Sequence, residues 1–272
     1  MNITQIHTQI KNKKSFLCVG LDPDKNKFPI PLKNQPDAIF AFNKSIIDAT
    51  EKYTIAYKPN IAFYECLGIE GWQALEKTVN YIRSNYPDVF LIADAKRGDI
   101  GNTSKMYAKT FFEYLDFDAV TVAPYMGEDS VIPFTEYKNK WVILLALTSN
   151  HGAGAFQKQK LLNGSFLFEE VIKKSQQWAD SNRLMYVVGA TQSEHLSLIR
   201  NIAPDNFLLV PGVGTQGGNL QDVITRGVNA SGGLLINSSR EIIYASANND
   251  YQIKAAEKAK ELSLEMQKYY TF

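Results

Sequence analysis

Eight short apolar runs, each closed at its C-terminal end by polar residues, constrain this chain more than any other feature. They occupy residues 16–21, 54–57, 89–93, 119–123, 141–147, 184–189, 207–210 and 233–236. Most are dominated by Val, Ile, Leu and Phe with little polar alternation, which is how strands buried on both faces read. Between most of them the apolar spacing turns helical, over 38–52, 72–85, 105–115, 166–182 and 192–200. Ile39, Phe42, Ile46 and Ile47, for example, share one face of such a helix. Strand–helix alternation repeated eight times predicts an α/β fold, a parallel (β/α)8 TIM barrel, as one domain over 1–272. An open doubly wound sheet is the alternative. Residues 3–10 are expected to form a short helix under the barrel floor, and 251–270 a closing helix.

The polar closures are Asp22, Lys58 with Asn60, Asp94 with Lys96, Pro124–Tyr125, Thr148–Ser149, Thr191, 211–218 and 237–240. In a parallel barrel the C-terminal strand ends share one rim, where active sites form. The third closure is the most charged, with Asp94, Lys96 and Asp99 spaced as D-x-K-x-x-D. Side chains two apart on a strand share a face, so Asp94 and Lys96 both point to the barrel mouth if the strand reaches them. Lys58, ending the previous strand, invites an alternating Lys58–Asp94–Lys96–Asp99 array. A solvated salt-bridge cluster is the bland reading. Two lysines and two carboxylates directly after buried strands favour chemistry, because buried charge is costly unless paired.

Residues 211–218 hold four glycines, whose backbone N–H groups can approach an anion closely. Residues 237–240 end in Arg240, a planar donor fork. Loops after strands seven and eight are the usual phosphate site of such barrels. A flexible turn and a surface arginine are the bland readings of each taken alone.

The segment Asp94-Ala95-Lys96-Arg97-Gly98-Asp99-Ile100-Gly101-Asn102-Thr103 resembles the active-site motif of orotidine 5′-phosphate decarboxylases, in particular a longer bacterial-type (type 2) subgroup. The resemblance extends through residues 19–24, 58–65, 146–150, 188–191, 209–218 and 237–240, in order and at strand ends. It implies cofactor-free, metal-free removal of CO₂ from orotidine 5′-phosphate to give UMP, with Lys96, Asp94, Lys58 and Asp99 as the catalytic charges. It assigns Asp22 to the ribose together with Lys58, Ser149 to the pyrimidine edge, and Gln216, Gly218 and Arg240 to the phosphate. Asp99 and Thr103 are expected to reach into the neighbouring subunit's site, which implies a homodimer. Segment 211–220 is the expected lid. His151 stands where many relatives have proline, and Glu241 where glycine is usual; Glu241 is expected to point away from the phosphate. His151 is not assigned as a base, since the chemistry needs none.

The remaining alternatives are a Mg²⁺-dependent sugar-phosphate enzyme of the same barrel superfamily, a Schiff-base aldolase using Lys96 or Lys58, and a non-catalytic nucleotide-binding barrel. Arg97 within the motif and the Lys58-Pro59-Asn60 context oppose the first. The formal net charge of +1, with no long run of one sign, gives no sign of nucleic-acid or membrane-surface binding. A polar N-terminal segment without an apolar leader core, and two cysteines read as buried thiols, Cys18 and Cys66, point to the cytoplasm.

Overall fold

The computed structural model describes residues 1–272 apart from Asn34, Thr215 and Gln216. Eight parallel strands close into a barrel in chain order: β1 Leu17–Leu21, β2 Ala56–Pro59, β3 Phe90–Arg97, β4 Ala119–Val122, β5 Trp141–Leu147, β6 Leu184–Val188, β7 Leu208–Pro211 and β8 Leu234–Ser238. Each corresponds to one of the apolar runs. The closing pair is β1 with β8, where Cys18 lies opposite Asn237. Strand residues are buried on both faces because helices cover the outside and side chains fill the inside.

The helix Ile3–Lys13 begins with a capping box at Asn2 and Gln5 and buries Ile6 and Ile10. Trp141, which starts β5, donates its indole N–H to the carbonyl of Met1, and His7 stacks on Phe207 just before β7. The helix therefore closes the end of the barrel where strands begin. At the same end Arg200 is buried and donates to the carbonyls of Gly227, Ala203, Asn206 and Gly233. Burial pushes its guanidinium down to about 10. This floor is built for stability and leaves the opposite rim to function.

Three expected helices and one cysteine depart from the hydrophobic pattern; the helix expected over 192–200 is a 3-10 turn, Ala190–His195, followed by the helix Leu196–Ile202. The helix expected over 105–115 begins at Gly101 and gives way to a π-turn, Thr110–Tyr114. Its polar first turn carries no apolar periodicity, so its start was invisible to that signal. The helix expected over 166–182 stops at Ser175, whose hydroxyl bonds back to the Ile172 carbonyl and meets the Tyr186 hydroxyl. Cys66 is exposed rather than buried: it caps the short helix Ala62–Glu65, which turns one side to solvent. Cys18 is buried as expected, and burial pushes its thiol up to about 12. Among the described residues no helix is long and apolar enough to cross a membrane.

Candidate active site

β3 runs to Arg97, four residues past the end of the apolar run. That extension carries Asp94 and Lys96 to the rim. Ladder register with β4 breaks there: Ala93 pairs with Val120 but Arg97 with Val122, so four steps on β3 match two on β4. Within the irregularity Lys96 has φ +46°, a left-handed conformation that costs a non-glycine residue about 1–3 kcal/mol.

The backbone excursion turns Lys96 back onto Asp94. Its Nζ donates to Asp94 Oδ1 at 2.6 Å, while Lys58 Nζ, from β2, donates to Asp94 Oδ2 at 2.7 Å. Each carboxylate oxygen thus holds one ammonium. Lys58 and Asp94 are buried, whereas the Lys96 side chain is half exposed to the cavity mouth. Burial opposes both charges of the buried pair, yet the pairing prevails. Lys58 and Lys96 hold the Asp94 carboxyl well below the usual carboxylate range, and Asp94 with Asp22 holds the Lys58 ammonium above the ordinary lysine value.

These groups line a cavity of about 340 Å³ at the C-terminal rim, within the range of small-molecule sites. Leu145, Val187 and Leu209, from β5, β6 and β7, form an apolar wall. Asp22 and Ser149 also line it, and Asp22 Oδ1 is buried without a hydrogen-bond partner among the described residues. Ser149 is packed under Gly189, where a Cβ would lie 2.6 Å from the serine backbone, so only glycine permits this approach. Across the cavity lie Gly212, Val213 and Arg240, the last being the first residue of the short helix Arg240–Ile243.

Gly218 does not line the cavity; its N–H donates to the Gly212 carbonyl at 3.2 Å and shapes the loop from behind. Gln216 lies outside the described residues. Glu241 lines a separate surface groove with Lys258, Glu261 and Glu265, away from the cavity, but its carboxylate packs against Gly214 of the glycine-rich loop. His151 is exposed and outside the lining.

Asp99 and Thr103 are also outside the lining, and the Asp99 carboxylate accepts the N–H of Ile100 at 2.8 Å. Within one chain the expected four-member array therefore has three members. The motif loop is braced by Arg97, which turns away from the cavity to pair with Glu65 and to lie over the rings of Tyr107 and Phe111.

Sequence reasoning missed Thr121 on β4, whose hydroxyl accepts the Lys96 N–H at 2.8 Å and donates to Asp94 Oδ1 at 3.1 Å. Its only sequence trace is a polar residue in an otherwise apolar run. Asn237 was noted only as part of a polar closure; it is buried at the cavity wall beside Cys18 and Ser239.

Paired, largely buried charge at this rim of a closed parallel barrel defines a (β/α)8-barrel enzyme. A family model described as "Orotidine 5′-phosphate decarboxylase / HUMPS family" matches residues 15–256, and the chain belongs to that family. Similar proteins include the "Orotidine 5′-phosphate decarboxylase" of Bacteroides fragilis, 60% identical over 98% of this chain and 97% of that one. The protein of the same name from Flavobacterium johnsoniae is 59% identical, over 98% and 97%. Among solved structures, "Leishmania donovani OMP decarboxylase" superposes with a TM-score of 0.80 at 33% identity, covering 97% of this chain and all (100%) of that one. "Leishmania donovani UMP synthase" gives 0.86 at 36% identity; 98% of this chain is covered, spanning 56% of that longer one.

Proposed function

We propose that this cavity removes CO₂ from orotidine 5′-phosphate to yield UMP, the last step of de novo UMP biosynthesis, with no metal or organic cofactor. The observation that carries the reading is the Lys58–Asp94–Lys96 row, paired and largely buried before substrate arrives. Loss of CO₂ from C6 leaves a carbanion with no adjacent carbonyl to delocalise it. The Lys96 ammonium stabilises that charge and then delivers the replacing proton. Asp94 faces the departing carboxylate, and Lys58 keeps Asp94 ionised and fixed.

One lysine is not enough. Unit charges about 4 Å apart interact by about 4 kcal/mol at an effective dielectric near 20. Enzymatic accelerations span about 8–23 kcal/mol. The rest comes from the preorganised row and from binding energy at the remote phosphate, which Arg240 and the loop 211–218 receive. Closure of segment 211–220 over the phosphate would exclude water and align the charges. Asp22, with an unpaired buried oxygen, accepts from the ribose hydroxyls, and Ser149 reads the pyrimidine edge.

The working unit is a cytoplasmic homodimer in which Asp99 and Thr103 complete the neighbouring chain's cavity. Their position outside their own cavity supports this, as does the exposure of Ile100 between them and of Met126, which lies against Gly98. A Schiff-base role for Lys58 is disfavoured, because its neighbours keep it protonated.

An ultraviolet assay of orotidine 5′-phosphate decay tests the reading. Turnover that persists after exhaustive EDTA treatment is the expected result. Activity that vanishes with EDTA and returns with Mg²⁺ would place the chain with the metal-dependent branch instead.

A further inference from the structure

We propose that Thr121 is a positioning residue for the decarboxylation, its single hydroxyl setting both the left-handed turn that carries Lys96 and the orientation of Asp94. This rests on the catalytic reading above and adds a residue to it. Thr121 is buried at 1% exposure and does not line the cavity, so it acts only through its neighbours.

The need for it arises from the register break. Between Ala93 and Arg97 the β3 backbone leaves the β4 ladder, and Lys96 has no partner in the β3–β4 register. The Thr121 hydroxyl oxygen takes the Lys96 N–H at 2.8 Å. Having one proton of its own, the hydroxyl passes it to Asp94 Oδ1 at 3.1 Å. The same oxygen receives Lys96 Nζ at 2.6 Å. A closed ring results: Lys96 N–H to Thr121, Thr121 to Asp94, Lys96 ammonium back to Asp94. The polarity of the hydroxyl is forced, since a backbone N–H can only donate and an ionised carboxylate can only accept.

Two consequences follow from one side chain. The strained φ of Lys96 is held by a hydrogen bond at its own amide, and Asp94 is fixed on the face opposite Lys58. Substituting valine keeps the shape and removes both bonds, leaving an amide and a carboxylate oxygen short of a partner. Serine keeps both bonds and loses only a methyl group.

The experiment compares Thr121→Val, Thr121→Ser and the wild type for kcat and KM on orotidine 5′-phosphate, with crystal structures of the wild type and the valine variant. For Thr121→Val, kcat is expected to fall by at least about 10-fold while KM stays within about 3-fold, because the lost bonds serve the reacting charges rather than nucleotide binding. Thr121→Ser is expected within about 3-fold of wild-type kcat. In the valine crystal the Lys96–Asp94 contact is expected to open beyond about 4 Å. Unchanged kcat in the valine variant, or equal losses in valine and serine, would overturn the proposal; the second outcome assigns the effect to packing. If the valine variant does not fold, Thr121→Cys, of similar size and a weak hydrogen-bonding partner, takes its place with the same expected direction. A wild type that leaves orotidine 5′-phosphate untouched would sink the catalytic reading alone, and the crystal geometry would still decide whether Thr121 holds the turn.

Discussion

The two ends of the cavity are built on different principles. At the β2–β3–β4 end the functional groups are side chains, ion-paired and cross-linked by hydrogen bonds, with Lys58, Asp94 and Thr121 buried, Lys96 half exposed, and Asp94 bonded to the other three. At the β7–β8 end they are a glycine-bearing loop and one exposed arginine, Arg240. The first end has its geometry before any ligand arrives, at the expense of backbone strain at Lys96. At the second the N–H groups of Gly214, Gly217 and Gly218 are donated to carbonyls within the loop, so in the proposed reading Arg240 is the donor left to meet a phosphate. In the proposed reading the fixed charge array serves the transition state, whereas the loop end serves binding.

This contrast makes graded predictions. Lys96→Ala at the fixed end is expected to lose roughly 10³-fold or more in kcat while still binding UMP, since proton transfer and charge stabilisation both fail. Residual turnover within tenfold of wild type would break the comparison outright. Mixing that variant with Asp99→Asn chains sharpens the test. If the sites are shared between subunits, mixed dimers contain one intact site and recover activity that neither parent has.

Arg240→Ala at the receptive end is expected to reduce kcat/KM by about 100-fold, chiefly through KM, as a charge-assisted phosphate contact is removed. A loss confined to kcat would mean that this end, too, is part of the fixed array.

Lys58→Met is expected to lower kcat as well, but its diagnostic effect is on stability. It leaves Asp94 with Lys96 as its only ammonium, which should destabilise the fold by about 2–4 kcal/mol near pH 7. The Asp94 folded-state pKa is depressed, so the stability it contributes is full above the unfolded value near about 3.9 and is lost as pH falls through the lower folded value. Removing Lys58 raises that folded value, so the urea-midpoint gap between wild type and variant should shrink as pH drops below about 4. A gap independent of pH would show that Lys58 contributes packing rather than charge pairing.

Much of this was legible in the residues. All eight strands coincide with apolar runs because a strand buried on both faces must be apolar almost throughout, a local property. The closures at Asp22, Lys58, Asp94, Ser149 and Arg240 line one cavity because parallel strands bring their C-terminal ends to one rim. The helix start at Gly101 was less legible, since its polar first turn carries no periodic signal, and the helix expected from 192 starts only at Leu196 because Ala190–His195 forms a 3-10 turn. Exposed Cys66 was misread for a related reason: an apolar stretch does not reveal which of its residues faces out.

The sequence by itself determined the strand count, the barrel and the identity of the charged groups, because periodicity and residue type are written along the chain. Only the tertiary structure decided that Lys96 turns back through a left-handed bulge onto Asp94 and that Thr121 joins them from the next strand. Those facts depend on register between strands and on backbone torsions at single residues. Such quantities are set by packing across the whole barrel, and no local pattern encodes them.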